Sequence, residues 1–181
     1  MSENDVIDLL TRRHAEIQDA FTDVQSSTGG DRQRAFDRLR RLLAVHETAE
    51  EEVVHPYARR VADDGKATVD ARLAEERSAK EILAALDALG PDGPGFMERL
   101  HELRAAVTEH ARHEEDEEFP RLRAATTPEE RRALAAAVRA AEATAPTRPH
   151  PGVESGVANL VAGPVASVID RTKDALRARR A

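Results

Sequence analysis

Apolar residues recur at steps of three and four along most of the chain, and nowhere alternate with the period of two that a strand needs. The first such seam is Leu10, His14, Ile17, Phe21 and Val24. It predicts a helix over residues 3–26, with Ser2-x-x-Asp5 as a capping box and Gly29-Gly30 as its end. Asp31 can cap a second helix, with the seam Leu39, Leu42, Leu43, His46, Glu50 and Val53. A turn at Asp63-Asp64-Gly65 precedes a third helix from about Thr68, with Val69, Leu73, Glu76, Leu83 and Leu86 on one side. The glycines and prolines of residues 90–95 break it. The fourth seam is Phe96, Leu100, Leu103, Val107, His110 and Glu114.

Four helices of similar length joined by short loops predict an all-α fold, an up-down-up-down four-helix bundle over residues 1–125. An additional Ala-rich helix is expected over residues 126–144, with Thr127 as N-cap, Pro128 at the first helical position and Glu130 closing a capping box. Residues 145–164 are rich in Pro and Gly and read as a linker. Residues 165–181 read as a short amphipathic basic helix, with Val165, Val168, Ile169 and Leu176 on one side and four arginines and Lys173 elsewhere.

Composition narrows the chemistry. The 181 residues carry a net charge of −7, which argues against general nucleic-acid binding. There is no cysteine, so disulfides, thiolate catalysis and sulfur-ligated metal sites are excluded. No signal-peptide pattern and no run of ~20 apolar residues is present, and a cytoplasmic location is expected.

Polar residues interrupt the apolar seams, and each of the four bundle helices turns at least one inward. His14 lies between Leu10 and Ile17, and Glu76 between Leu73 and Leu83. His46 with Glu50 and His110 with Glu114 belong to two copies of H-x-x-x-E-E-x-x-x-x-P, ending at Pro56 and Pro120. A spacing of four stacks imidazole and carboxylate on one helix face. Buried carboxylates without partners are costly, so three inward carboxylates call for a cation. Lys80, one turn after Glu76, is the nearby candidate counter-ion.

The donors expected to bind metal are His14, His46, Glu50, Glu76, His110 and Glu114, with Glu47 as an additional candidate. A lone seam histidine or a lone H-x-x-x-E pair is commonly structural; two matched copies together with His14 are much more specific. His55, His101, His113 and His150 are expected at the surface, and Glu51, Glu52, Glu115, Glu117 and Glu118 in a solvated acidic face. A sulfur-free imidazole and carboxylate set suits iron, manganese or zinc. Six donors exceed one tetrahedral zinc and suit two ions bridged by Glu50 and Glu114. Iron is then favoured, with dioxygen, hydrogen peroxide or nitric oxide as the small molecule.

These residues resemble the hemerythrin-like, or HHE cation-binding, family. The resemblance rests on His14, on His46-Glu47 through Glu50-Glu51 with His55-Pro56, and on His110 through Glu114-Glu115 with Phe119-Pro120. It implies a four-helix bundle holding a non-heme di-iron centre with an oxo or hydroxo bridge. Members carry or sense oxygen, store or sense iron, or act on peroxide and nitric oxide. One departure stands out. The family's third helix gives at least one histidine, whereas residues 68–90 contain none and Glu76 aligns at that place, better than Glu75 at the edge of the seam. A carboxylate favours the ferric state relative to an imidazole, which lowers the expectation of reversible oxygen carriage and raises that of oxidase, peroxide-consuming or metal-holding chemistry. Three roles are therefore distinguished: a redox di-iron protein in oxidative or nitrosative stress or iron handling, a non-enzymatic metal storage or sensing module signalling through the C-terminal helix, and a helical scaffold with hydrogen-bonded core histidines. The C-terminal helix is expected to pack on the bundle or self-associate, or else to lie on a membrane surface or bind a partner.

Overall fold

In a computed structural model, residues 5–62 and 64–145 are described. Among them there is no strand. Helix α1 spans Val6–Ser26, α2 Gly29–Ala49, α3 His55–Val61, α4 Gly65–Leu89, α5 Phe96–His113, α6 Phe119–Ala125 and α7 Pro128–Thr144. Two π-helical turns, Glu50–Val54 and Glu114–Glu118, join α2 to α3 and α5 to α6. The expected second and fourth helices are thus continuous rods, each with one widened turn.

The repeated proline explains those turns. A proline inside an α-helix clashes with the carbonyl four residues earlier and gives no N–H to the ladder. Just ahead of Pro56 and Pro120, the backbone switches to bonds over five residues: His55 N donates to the Glu50 carbonyl and Phe119 N to the Glu114 carbonyl. Each π turn begins at the glutamate that lies four residues after the motif histidine.

Helix ends follow local chemistry, with small shifts from the sequence reading. Asp5 itself caps α1, accepting from Ile7 N at 3.0 Å; Ser2 lies outside the described residues. Thr28, not Asp31, occupies the N-cap of α2, and Asp31 sits in its first turn. Helix α4 starts at Gly65, earlier than expected, because the chain reverses through Asp64 in the left-handed region (φ 55°). The capping box of α7 forms as expected: Glu130 N donates to Thr127 Oγ1 at 3.2 Å, and Thr127 N to Glu130 Oε2 at 2.8 Å.

The apolar interior divides into two clusters. One joins Val6, Leu9 and Leu10 of α1 to Val53, Val54, Phe119 and Leu122, and includes Leu134, Ala135, Val138 and Ala141 of α7. The other joins Ile17, Phe21 and Val24 to Leu39, Leu43, Leu83, Leu86, Leu100 and Leu103. Helix α7 is therefore part of the core rather than an appendage, and Arg131 ties its start to Asp5 at 2.7 Å. The seam histidines and glutamates fall between the two clusters, as a polar layer crossing the bundle. The linker beyond Ala145 and the basic helix of 165–181 lie outside the described residues.

Candidate metal centre

The six donors come from four rods, and each reaches the same layer because of its place on an apolar seam. His14 arrives from the middle of α1, His46 from the last turn of α2, Glu50 and Glu114 from the two π turns, Glu76 from the middle of α4, and His110 from the last turn of α5. All six are buried. The structure brings all six together in overlapping groups. Donor atoms of His14, His46, Glu50 and Glu114 lie within 4.8 Å of one another, as do those of Glu50, Glu76 and His110. Glu50 belongs to both groups.

Individual separations are short. His14 Nε2 is 3.1 Å from Glu114 Oε2, His46 Nε2 is 3.3 Å from Glu50 Oε2, and His110 Nε2 is 3.5 Å from Glu114 Oε1. The far nitrogens of two of these rings are held by carboxylates: His14 Nδ1 by Glu115 at 2.7 Å, and His110 Nδ1 by Glu75 at 3.1 Å. Such outer bonds fix the ring and its tautomer and turn the other nitrogen inward.

Most of the inward atoms are left without hydrogen-bond partners. His14 Nε2, His110 Nε2, both carboxylate oxygens of Glu50 and of Glu114, and Oε2 of Glu76 are buried and make no hydrogen bond. Buried polar atoms are almost always satisfied, so a cluster of buried, unpartnered acceptors suits a cation. The donor set fits a cation on this ground, and lacks sulfur.

Charge around the centre is unevenly held. Burial raises Glu50 well above the usual carboxylate range, with the nearby Glu114 adding to the rise. Burial also works against ionisation of Glu114, but His110 and His14 outweigh it and hold its carboxyl low. Burial, then His14, keeps His46 neutral well below the ordinary histidine value, as a metal ligand requires. Burial opposes charge on His110, yet Glu114 and Glu75 push it up to about 9. Burial raises Glu47 to about 8, with Lys80 opposing.

Glu47 is buried beside the same donors, and lines a small cavity with His14, His46, Glu76 and His110. Lys80 faces this group as expected: it pairs with Glu51, and its Nζ lies 3.9 Å from Glu47 and 4.0 Å from Glu76 Oε2.

Two surface assignments are corrected. His55 and Glu118 are buried, not solvated. His55 Nε2 lies 2.6 Å from Glu76 Oε1, and its Nδ1 3.2 Å from Glu118 Oε1. In an unbroken helix at about 100° per residue, His55 would point opposite to His46. The π turn adds a residue without advancing the phase, and so swings His55 and Glu118 inward. The proline ten residues after each motif histidine was the available signal. Glu115 is partly exposed but bonded to His14, and His113 is partly buried against Glu75 at 2.9 Å. His101 is exposed as expected; His150 lies outside the described residues.

Comparison with known proteins agrees with this geometry. The model of the hemerythrin HHE cation binding domain matches residues 5–122, a span containing all six donors. A protein of Nostoc sp. described as a DNA nickase is 30% identical over 118 residues. That alignment takes in 64% of this chain but 33% of the relative, so the chain spans about a third of that protein's length. A solved structure of a hemerythrin HHE cation binding domain-containing protein from Mycobacterium kansasii superposes with a TM-score of 0.69 at 16% identity, over 95% of this chain and 99% of the other. That likeness concerns the fold. With the family model covering most of the chain and the buried donors inside the matched span, this protein belongs to the hemerythrin HHE cation-binding family.

Proposed function

We propose that the chain holds two iron ions in the polar layer and uses them on a small molecule: dioxygen, hydrogen peroxide or nitric oxide. The carrying observation is the set of buried, unpartnered atoms on His14, Glu50, Glu76, His110 and Glu114. His14 and His46 would hold one ion, Glu76 and His110 the other, and Glu50 and Glu114 would be shared; Glu47 stands ready beside them. The mixed imidazole and carboxylate set suits iron, with manganese or zinc as weaker fits. Bound iron would supply the redox chemistry. The protein's part is to neutralise charge, orient the donors and limit access.

The size of the opening supports a small ligand. The cavity bounded by His14, His46, Glu47, Glu76 and His110 has a volume of about 20 Å³, room for one water-sized molecule. The nickase activity named for the longer relative is not carried over, since this chain has a net charge of −7 and spans only about a third of that protein. Among the described residues no helix is long and apolar enough to cross a membrane, and the cytoplasm is the compartment we assign.

Anaerobic titration with ferrous iron tests the reading. About two ions per chain should bind, and exposure to air should bring up near-ultraviolet absorption of the oxidised pair. An absence of stoichiometric uptake overturns it. Repeated consumption of excess peroxide would mark a redox role; metal-dependent protection from protease without turnover would favour storage or sensing.

A further inference from the structure

The two motif copies differ at one position that faces the centre. The residue before the proline is His55 in the first copy and Phe119 in the second. Phe119 stacks on His14, with ring centroids 5.8 Å apart and planes 9° from parallel. His55 meets Glu76 instead. Each pre-proline residue therefore packs on the donor supplied by a helix outside the repeats, His14 from α1 or Glu76 from α4. Where that donor is an imidazole, the covering residue is an apolar ring. Where it is a carboxylate, the covering residue is a ring with two polar nitrogens.

The bonding pattern is specific. His55 engages Oε1 of Glu76 with one nitrogen and Oε1 of Glu118 with the other. Oε2 of Glu76 is left buried and unpartnered, with Lys80 no closer than 4.0 Å. All three members of the chain are buried. A free carboxylate can rotate and present either oxygen; one tied at Oε1 presents Oε2. Both nitrogens of His55 face carboxylates, Glu76 on one side and Glu118 on the other.

We propose that His55 is the positioning residue for Glu76. The buried chain Glu118–His55–Glu76 fixes Oε1 of Glu76 and leaves Oε2 as the metal donor from α4. The pair at positions 55 and 76 is then a matched unit: histidine with glutamate here, as phenylalanine with histidine on the other side of the layer. The inference rests on the proposed metal-binding role of the layer.

The test uses the full chain, ferrous iron alone and four proteins: wild type, H55F, E76H and the double variant H55F/E76H. The readout is iron bound per chain and its dissociation constant under anaerobic titration, with helical content of the metal-free proteins as control. In the Glu76 background, H55F should weaken one of the two ions about 10- to 100-fold, the usual cost of losing an outer partner. In the E76H background the same substitution should strengthen binding, because Phe then covers an imidazole as Phe119 covers His14. This reversal of sign is the expected result. If H55F alone does not fold, E76H against H55F/E76H still decides. H55F weakening binding in the E76H background, or leaving it unchanged, overturns the proposal. Two ions in wild type with no reversal defeat this inference alone. No uptake by wild type defeats the metal-binding reading and this inference with it.

Discussion

Nε2 of His14 lies 3.1 Å from Oε2 of Glu114, so the middle of the first helix is joined to the start of the second π turn. Its other nitrogen is held by Glu115, the next residue along. One imidazole thus reads two successive glutamates of the second motif, and only the inward one is fully buried. Glu50 and Glu114 hold equivalent places in the motif, yet their carboxyls are driven in opposite directions, Glu50 up and Glu114 down.

That asymmetry separates two conservative substitutions. Glu50→Gln replaces a carboxyl already favoured in its neutral form, so the metal-free protein should keep its melting temperature. Glu114→Gln removes the counter-charge of His14 and His110 and should cost about 3 kcal/mol. Both should abolish binding of at least one ion. Thermal melts without metal, paired with ferrous titrations, check this; equal melting losses would contradict it.

Metal uptake should release protons and strengthen as pH rises. His110 is raised from 6.5 to about 9 in the metal-free fold, so its proton must leave before its nitrogen binds metal. Affinity should climb between pH 6.5 and 9. Stability of the metal-free protein should move the other way. The stabilising contribution of charged His110 is complete below pH 6.5 and is lost as pH approaches 9. Glu47, raised from 4.5 to about 8, adds a cost that grows from pH 4.5 and is complete above about 8, so it steepens the lower part of that window. Denaturant melts at the two ends of the range, with and without zinc as a redox-inert probe, give the two slopes. Parallel slopes would refute the linkage.

Leu134→Ala should destabilise the protein by about 2–4 kcal/mol, as for a buried leucine in a core. Helix α7 packs on α1, α2 and the first π turn, so iron should also leave the variant faster. A loss below about 0.5 kcal/mol would show that α7 is a detachable segment.

Gly65→Ala should lower stability by about 1–3 kcal/mol. A Cβ there would clash with the Ala58 carbonyl oxygen, and the neighbouring atoms are Ala58 and Arg59 backbone rather than a flexible side chain. Iron stoichiometry should be unchanged, since the contact is between α3 and the start of α4, away from the donors. Calorimetry and iron counting on one preparation separate the two effects.

The helices, the turn at residues 90–95, the α7 capping box and the inward direction of six donors were legible in the chain. Each depends on spacing within one element, and a step of three or four residues settles it. His55 and Glu118 were not legible in that way. Their direction depends on a π turn that shifts helical phase, and uniform periodicity carries no sign of such a turn. Glu115 is exposed as expected, but its bond to His14 was not legible, because that partner lies on another helix.

The sequence by itself determined that this is a helical protein with two matched imidazole–carboxylate pairs, because apolar periodicity and side-chain chemistry are local. The tertiary structure alone decided which atoms are left without partners, how charge is divided between Glu50 and Glu114, and that His55 holds Glu76. Those depend on distances across the bundle, where burial strips water from each group and leaves only the facing helices to answer its charge.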